Sequence, residues 1–221
     1  MEKYLVDGFS FKNIKAIIFD FDKTLYFSEN LEQYYANFIK KTIMTLGNYT
    51  ENEAVHLMEE WGFTGDKKTP SFAKVCTNFG ISKESWDNYR VEQFFEFDYE
   101  NADTVKNKTL QKLASYYPLF LVSNEVKGNL ITKAEKLSIN YTIFQKIYAP
   151  SKEELNTYPT KKQIYDTIIK SLNIKPNEVF SVGDRLLVDV QPLLELGGSG
   201  FVITHPSEID DIAEELFKEI N

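Results

Sequence analysis

The sequence is poor in the residue types that most often carry redox, metal or nucleophilic chemistry. It holds one cysteine, Cys76, and two histidines, His56 and His205, among 221 residues. A lone cysteine excludes an intrachain disulfide and suits a reducing cytoplasm. No arginine follows Cys76 closely enough to make it a phosphatase-type thiolate nucleophile. Two histidines far apart in sequence give neither a His-rich metal cluster nor a Ser-His-Asp arrangement. Positive charge is also in deficit: 25 Lys and Arg against 33 Asp and Glu leave a net charge of -8 and a pI near 5.0. Nucleic acid and anionic membranes need clustered basic residues, so neither is an expected partner. No apolar run approaches the roughly 20 residues that cross a bilayer. The opening "MEKYLVDGFSFKN" reads as neither a signal peptide nor an anchor.

What the chain does have is a core: 43% of it is hydrophobic and 14% aromatic, the composition of a globular protein. The stretch "IKAIIFDFDKTLYF" opens with an apolar, β-branched run, which predicts a strand buried on both faces. Residues 28–106 then read as helical. "ENLEQYYANFIKKTIMTLG" spaces its apolar residues along one helix face, and "TENEAVHLMEEWG" opens with the capping-box pair Thr50 and Glu53. "SFAKVCTNFG" and "SKESWDNYRVEQFFEF" predict two more helices, with Phe94, Phe95, Phe97 and Tyr99 as packing aromatics. Beyond residue 106, strands "YPLFLVSN", "KIYA", "EVFSVGD" and "GFVITH" alternate with helices. Such alternation predicts an α/β fold with a doubly wound, parallel, five-stranded sheet. "LGGSG" precedes a strand and reads as a turn rather than a phosphate-cradling loop.

The first strand ends in Asp20 and Asp22, two carboxylates that repel each other unless a cation, a proton or hydrogen bonds hold them. In a sheet ordered 3-2-1-4-5 the flanking strands are the second, ending in Ser123 and Asn124, and the fourth, ending in Gly183 and Asp184. Adjacent strands lie about 4.8 Å apart, so Asp184 would stand beside Asp20 and Asp22 in the crevice at the strand ends. Three converging carboxylates suit magnesium, a hard cation that takes oxygen ligands. Ser123, Asn124 and the amides opening the next helix would offer hydrogen bonds to an anion.

These residues resemble the haloacid dehalogenase superfamily of aspartate-nucleophile phosphohydrolases. That family's pattern is DxDxT on strand 1, Ser or Thr ending strand 2, a Lys before a later helix, and GD with a further Asp after strand 4. Here the four read "DFDKT", "LVSN", "TKK" and "GDRLLVD". The helical block 28–106 sits where the family carries a helical cap, leaving 1–27 and 107–221 as the core. Its segment "WGFTGDKKTPSFAKVCTNFG" looks like the cap of the branch that includes pyrimidine 5′-nucleotidases and phosphoglycolate phosphatases.

The resemblance implies a magnesium-dependent phosphomonoesterase, cytoplasmic and monomeric or homodimeric, acting on a small phosphorylated metabolite such as a nucleotide, phosphoglycolate or a sugar phosphate. Asp20 would be the nucleophile and Asp22 the general acid and base. Magnesium would be held by Asp20, Asp184 and the backbone carbonyl of Asp22, with Asp189 supporting it. Thr24, Ser123, Asn124 and a lysine would hold the phosphate, and Thr64, Gly65 and Lys67 of the cap would contact substrate. Pro159 stands where relatives commonly carry the lysine. Of the neighbours Lys161 and Lys162, the spacing of three residues to apolar Ile164 favours Lys161. Two other readings stay open: a phosphomutase with a second phosphate site in the cap, and a receiver-like module phosphorylated on a strand-end Asp.

Overall fold

In the computed structural model, residues 1–61, 76–92, 99, 101–155 and 157–220 are described. The strands are β1 (Glu2–Tyr4), β2 (Ala16–Phe19), β3 (Tyr26–Phe27), β4 (Asp103–Thr104), β5 (Leu119–Val122), β6 (Lys146–Tyr148), β7 (Val179–Gly183) and β8 (Ser199–Val202). Six of them form one sheet in the order β1-β8-β7-β2-β5-β6. The five parallel strands keep the anticipated 3-2-1-4-5 order, with β2 at the centre between β5 and β7. Among the described residues the sheet nonetheless has six strands, not five: β1 pairs antiparallel with β8 and covers that edge. Its three residues are too short and too polar to stand out as a strand from sequence alone.

Successive residues of β2 point to opposite faces, and the two faces have different partners. Ile17 and Phe19, with Leu119, Leu121, Phe180 and Val182, pack against α4 (Asn107–Ala114), α5 (Lys127–Lys136) and α8 (Glu208–Ile220). Ala16 and Ile18, with Phe120, Val122 and Val179, pack against α6 (Lys161–Leu172) and Leu193 of the short α7 (Gln191–Leu194). Helices α4 and α8 escaped the sequence reading. Of the helix anticipated over "LVDVQPLLELGG", residues 187–190 fall in a wide π-type turn, Leu186–Val190, that leads into the short α7.

The chain leaves this core at β3 and returns at β4, and those two strands pair antiparallel as Tyr26 with Thr104 and Phe27 with Asp103. Between them lie α1 (Glu29–Gly47), α2 (Glu51–Glu60) and α3 (Lys83–Glu92). They enclose a separate apolar centre of Ile43, Ala54, Cys76, Phe79 and Ile81. The capping box at Thr50 and Glu53 forms at the start of α2. Of the anticipated helix over 71–80, Cys76–Phe79 is one 3-10 turn, Gly80 ends it in a turn, and 71–75 fall outside the described residues, as do Phe94, Phe95 and Phe97. His56 is exposed and Cys76 fully buried. Helix α3 reaches the core twice: Arg90 Nη1 donates to the Asn124 carbonyl at 2.8 Å, and Lys83 Nζ to the Leu155 carbonyl at 3.1 Å.

Candidate active site

The β2–β7 ladder runs one residue past the end of β2, because the Asp20 amide donates to the Val182 carbonyl at 2.9 Å. The chain then turns sharply. The amides of Thr24 and Leu25 both donate to the Phe21 carbonyl, at 3.2 and 2.9 Å, and Lys23 takes a left-handed φ of 59°. The turn leaves Thr24 wholly buried, its hydroxyl without a hydrogen-bond partner among the described residues. A buried hydroxyl in that state is incomplete.

Asp20, Asp184 and Asp189 each present a carboxylate oxygen, and the three oxygens lie within 4.8 Å of one another. Gly183 makes this approach possible, since a Cβ there would fall 2.2 Å from the Cβ of Asp189. Asp189 is anchored by the turn after β7, where the Arg185 amide donates to its Oδ2 at 2.9 Å, and by Tyr165 of α6, whose hydroxyl donates to its carbonyl at 2.9 Å. Lys161, at the first turn of α6, spans the cluster with its ammonium 2.6 Å from Asp20 Oδ1 and 2.7 Å from Asp189 Oδ1. Arg185 Nε lies 3.8 Å from Asp184 Oδ1.

These surroundings pull the three acids apart. Burial pushes Asp20 up to about 6, with the charges of Asp189 and Asp22 adding to it and Lys161 opposing. Asp184 is driven well above the usual carboxylate range by burial and by Asp189 and Asp20, against the pull of Arg185. Asp189 is buried too, but Lys161 and Arg185 hold it below that range. Burial alone would lower Lys161, yet Asp189 and Asp20 raise it, so it stays charged.

Asp22 faces a different set of partners. Its Oδ1 accepts from the Tyr26 hydroxyl at 2.5 Å and from Lys133 Nζ at 2.9 Å. Burial works to raise its carboxyl, but Lys133, Tyr26 and Tyr35 outweigh it and hold the group low. Lys133 also bonds Glu125 Oε2 at 2.7 Å.

A sequence model of the haloacid dehalogenase-like hydrolases matches residues 14–197, which is most of the chain. The chain belongs to that family. No curated protein matches it in a sequence search. Among solved structures, a haloacid dehalogenase-like hydrolase from Xanthomonas campestris is 16% identical, with a TM-score of 0.52 over 98% of this chain and 99% of its own. One from Bacteroides fragilis is 18% identical, with a TM-score of 0.56 over 87% and 88%. A predicted phosphoglycolate phosphatase from Haemophilus somnus is 17% identical, with a TM-score of 0.53 over 87% and 86%. At these identities the likeness speaks for the fold.

Asp20 and Asp184 lie together, and Asp189, anticipated in a supporting position, has its carboxylate in the same group of three. Of the two lysines, Lys161 is buried at the cluster, while Lys162 lies on the surface and pairs with Glu195 at 2.7 Å. Ser123 is buried at the end of β5, whereas Asn124 is exposed. The helix-opening amides anticipated for an anion are already taken. Those of Glu125, Val126 and Lys127 donate to Ser123 Oγ, Glu125 Oε1 and the Pro150 carbonyl at 3.1, 2.8 and 2.8 Å. Thr64, Gly65 and Lys67 lie outside the described residues. A groove of about 720 Å³ between α4 and α8, lined by Lys106, Lys112, Asp210 and Phe217, includes none of these side chains.

Lys133, Glu125, Tyr26 and Tyr35 escaped the sequence reading. A signal for Lys133 existed: in "KGNLITKAEK" it falls on the same helix face as Leu130 and Ala134, where a lysine is out of place.

Proposed function

We propose that this haloacid dehalogenase-like hydrolase is a magnesium-dependent phosphomonoesterase that works through an aspartyl phosphate on a small phosphorylated metabolite. The observation that carries the reading is the gathering of Asp20, Asp184 and Asp189 around Lys161 at the carboxyl ends of β2 and β7. The donor set fits a divalent cation, since it consists of hard carboxylate oxygens, among them an Asp184 that burial and neighbouring acids leave poorly compensated. Asp20, Asp184 and the backbone carbonyl of Asp22 would hold magnesium, with Asp189 beside them. When bound, it offsets the repulsion between an anionic nucleophile and an anionic ester.

The side chains divide the work. A carboxylate oxygen of Asp20 bonds to phosphorus as the ester P–O bond breaks, and the bonding pair leaves with the alkoxide. Asp22, which must enter the cycle protonated against the pull of Lys133, Tyr26 and Tyr35, delivers that proton to the departing oxygen and recovers one from the water that cleaves the aspartyl phosphate and frees inorganic phosphate. Thr24 supports a phosphate-binding role because its hydroxyl is buried and unpartnered. Ser123, Asn124 and Lys161 complete that set. The presence of Asp22 favours a phosphatase over a dehalogenase.

The segment 28–106 is read as a cap over a core of 1–27 and 107–221, with Thr64, Gly65 and Lys67 its substrate contacts. The separate apolar centre around Ile43 and Phe79 supports that division. Nucleotides, phosphoglycolate and sugar phosphates are the candidate substrates, and the predicted phosphoglycolate phosphatase among the structural neighbours supports including the second. The lone cysteine supports a cytoplasmic setting, and no described helix is long and apolar enough to cross a membrane. The test is release of inorganic phosphate from a panel of phosphorylated metabolites and aryl phosphates, with magnesium or with EDTA. Magnesium-dependent release is expected; a folded, metal-loaded protein inert toward the whole panel overturns the reading.

A further inference from the structure

We infer that Lys133 is a positioning residue that fixes the carboxylate of Asp22, with Glu125 anchoring it from behind; the inference rests on the phosphomonoesterase reading above. Lys133 lies on the inward face of α5, its side chain only 5% exposed, and its ammonium bridges Asp22 Oδ1 at 2.9 Å and Glu125 Oε2 at 2.7 Å. The Tyr26 hydroxyl reaches the same Asp22 oxygen at 2.5 Å. Two donors from different elements, one on β3 and one on α5, thus converge on one oxygen and set the rotation of the carboxylate.

Glu125 is fixed in turn. Its Oε1 accepts from the Val126 amide at 2.8 Å and from Asn129 Nδ2 at 3.4 Å, and its own amide donates to Ser123 Oγ at 3.1 Å. An unbroken line of contacts therefore runs from the end of β5 to Asp22. An apolar residue would suit this helix face without the desolvation cost that a buried ammonium carries. Packing against Leu130 and Ala134 gives no reason for a lysine, whereas aiming Asp22 at the departing oxygen does. Proton delivery depends on such aim, because a misplaced donor loses much of its catalytic effect.

The test compares kcat/KM for para-nitrophenyl, phenyl and para-methoxyphenyl phosphates in magnesium, a quantity that reports the step in which the leaving group departs. Lys133→Met is expected to lose about threefold on the nitrophenyl ester, which needs little protonation, and about a hundredfold on the other two. The double variant Lys133→Met with Glu125→Gln removes the unpaired glutamate charge as well. It should show the same steepened dependence on leaving-group basicity, and it supplies the measurement if the single variant does not fold. Lys133→Arg, which keeps a charged donor, is expected to regain most of the loss on phenyl phosphate. An equal loss on all three esters, or none, overturns the positioning role. A folded wild type that hydrolyses no ester overturns the phosphomonoesterase reading itself, and the inference with it.

Discussion

Replacing Lys161 and Lys162 in turn by methionine isolates what burial does to an ion pair, because the two are neighbours on one helix with the same chemistry. Lys161 lies 2.6 Å from Asp20 and 2.7 Å from Asp189, and the three side chains are 4%, 11% and 1% exposed. Removing one partner of so buried a pair costs about 3–5 kcal/mol, because the carboxylates left behind keep their desolvation without their counter-charge. Lys162 also sits 2.7 Å from its partner Glu195, but those side chains are 47% and 46% exposed. Water screens that pair almost completely. For a chain of this size each kcal/mol moves the melting temperature by about 2–4 °C. Lys161→Met should therefore melt about 6–20 °C lower in EDTA, and Lys162→Met less than about 4 °C lower, by far-ultraviolet circular dichroism. Saturating magnesium should narrow the larger gap, since the cation restores part of the missing positive charge. Phosphate release should fall about a hundredfold or more for Lys161→Met and hardly change for Lys162→Met. Equal melting shifts for the two variants, or a Lys161→Met shift under about 2 °C in EDTA, would refute the reasoning.

Asp20→Asn keeps the shape of the nucleophile and removes its charge. Turnover should drop by about a thousandfold or more with an unchanged circular dichroism spectrum, and activity within tenfold of wild type would reject Asp20 as the attacking group. Gly183→Ala places a Cβ where Asp189 stands, 2.2 Å from that residue's own Cβ. It is expected to weaken magnesium binding at least about tenfold by isothermal titration calorimetry, and unchanged affinity would remove Asp189 from the metal set.

The placement of acids at the strand ends was legible because each residue sits next to a strong local signal. Asp20 and Asp22 close the apolar run of β2, Ser123 closes β5, and Asp184 closes β7, so pattern and sheet order brought them together before any coordinate was known. Lys161 was legible through its three-residue spacing to Ile164, which is buried on the same face of α6. Lys133 was legible only as an oddity on the apolar face of α5; its partner was not, because Asp22 lies more than a hundred positions away. Strand β1 escaped for a related reason. It is held by pairing with β8 at the other end of the chain, and its own residues carry little β-forming pattern. The amides after β5 look free in sequence, yet Ser123 and Glu125 satisfy two of them locally, a capping choice that short polar side chains make only once the turn exists.

The two-residue ribbon of β3 and β4 sets a topological economy for the whole chain. It joins the point where the backbone leaves the sheet to the point where it comes back, and the Val105 amide extends the junction by donating to the Leu25 carbonyl at 2.9 Å. A loop pinned at its neck feels its own length only logarithmically, so doubling it adds about 0.6 kcal/mol of closure entropy. The length of the segment between Phe27 and Asp103 is therefore only a weak entropic constraint on how β2, β5 and β7 assemble. The acids that converge on Lys161 all lie on the sheet side of that neck. On the proposed reading of 28–106 as a substrate-contacting cap, changes in what is admitted can accumulate on one side of the neck while Asp20, Asp184, Asp189 and Lys161 stay where the sheet puts them.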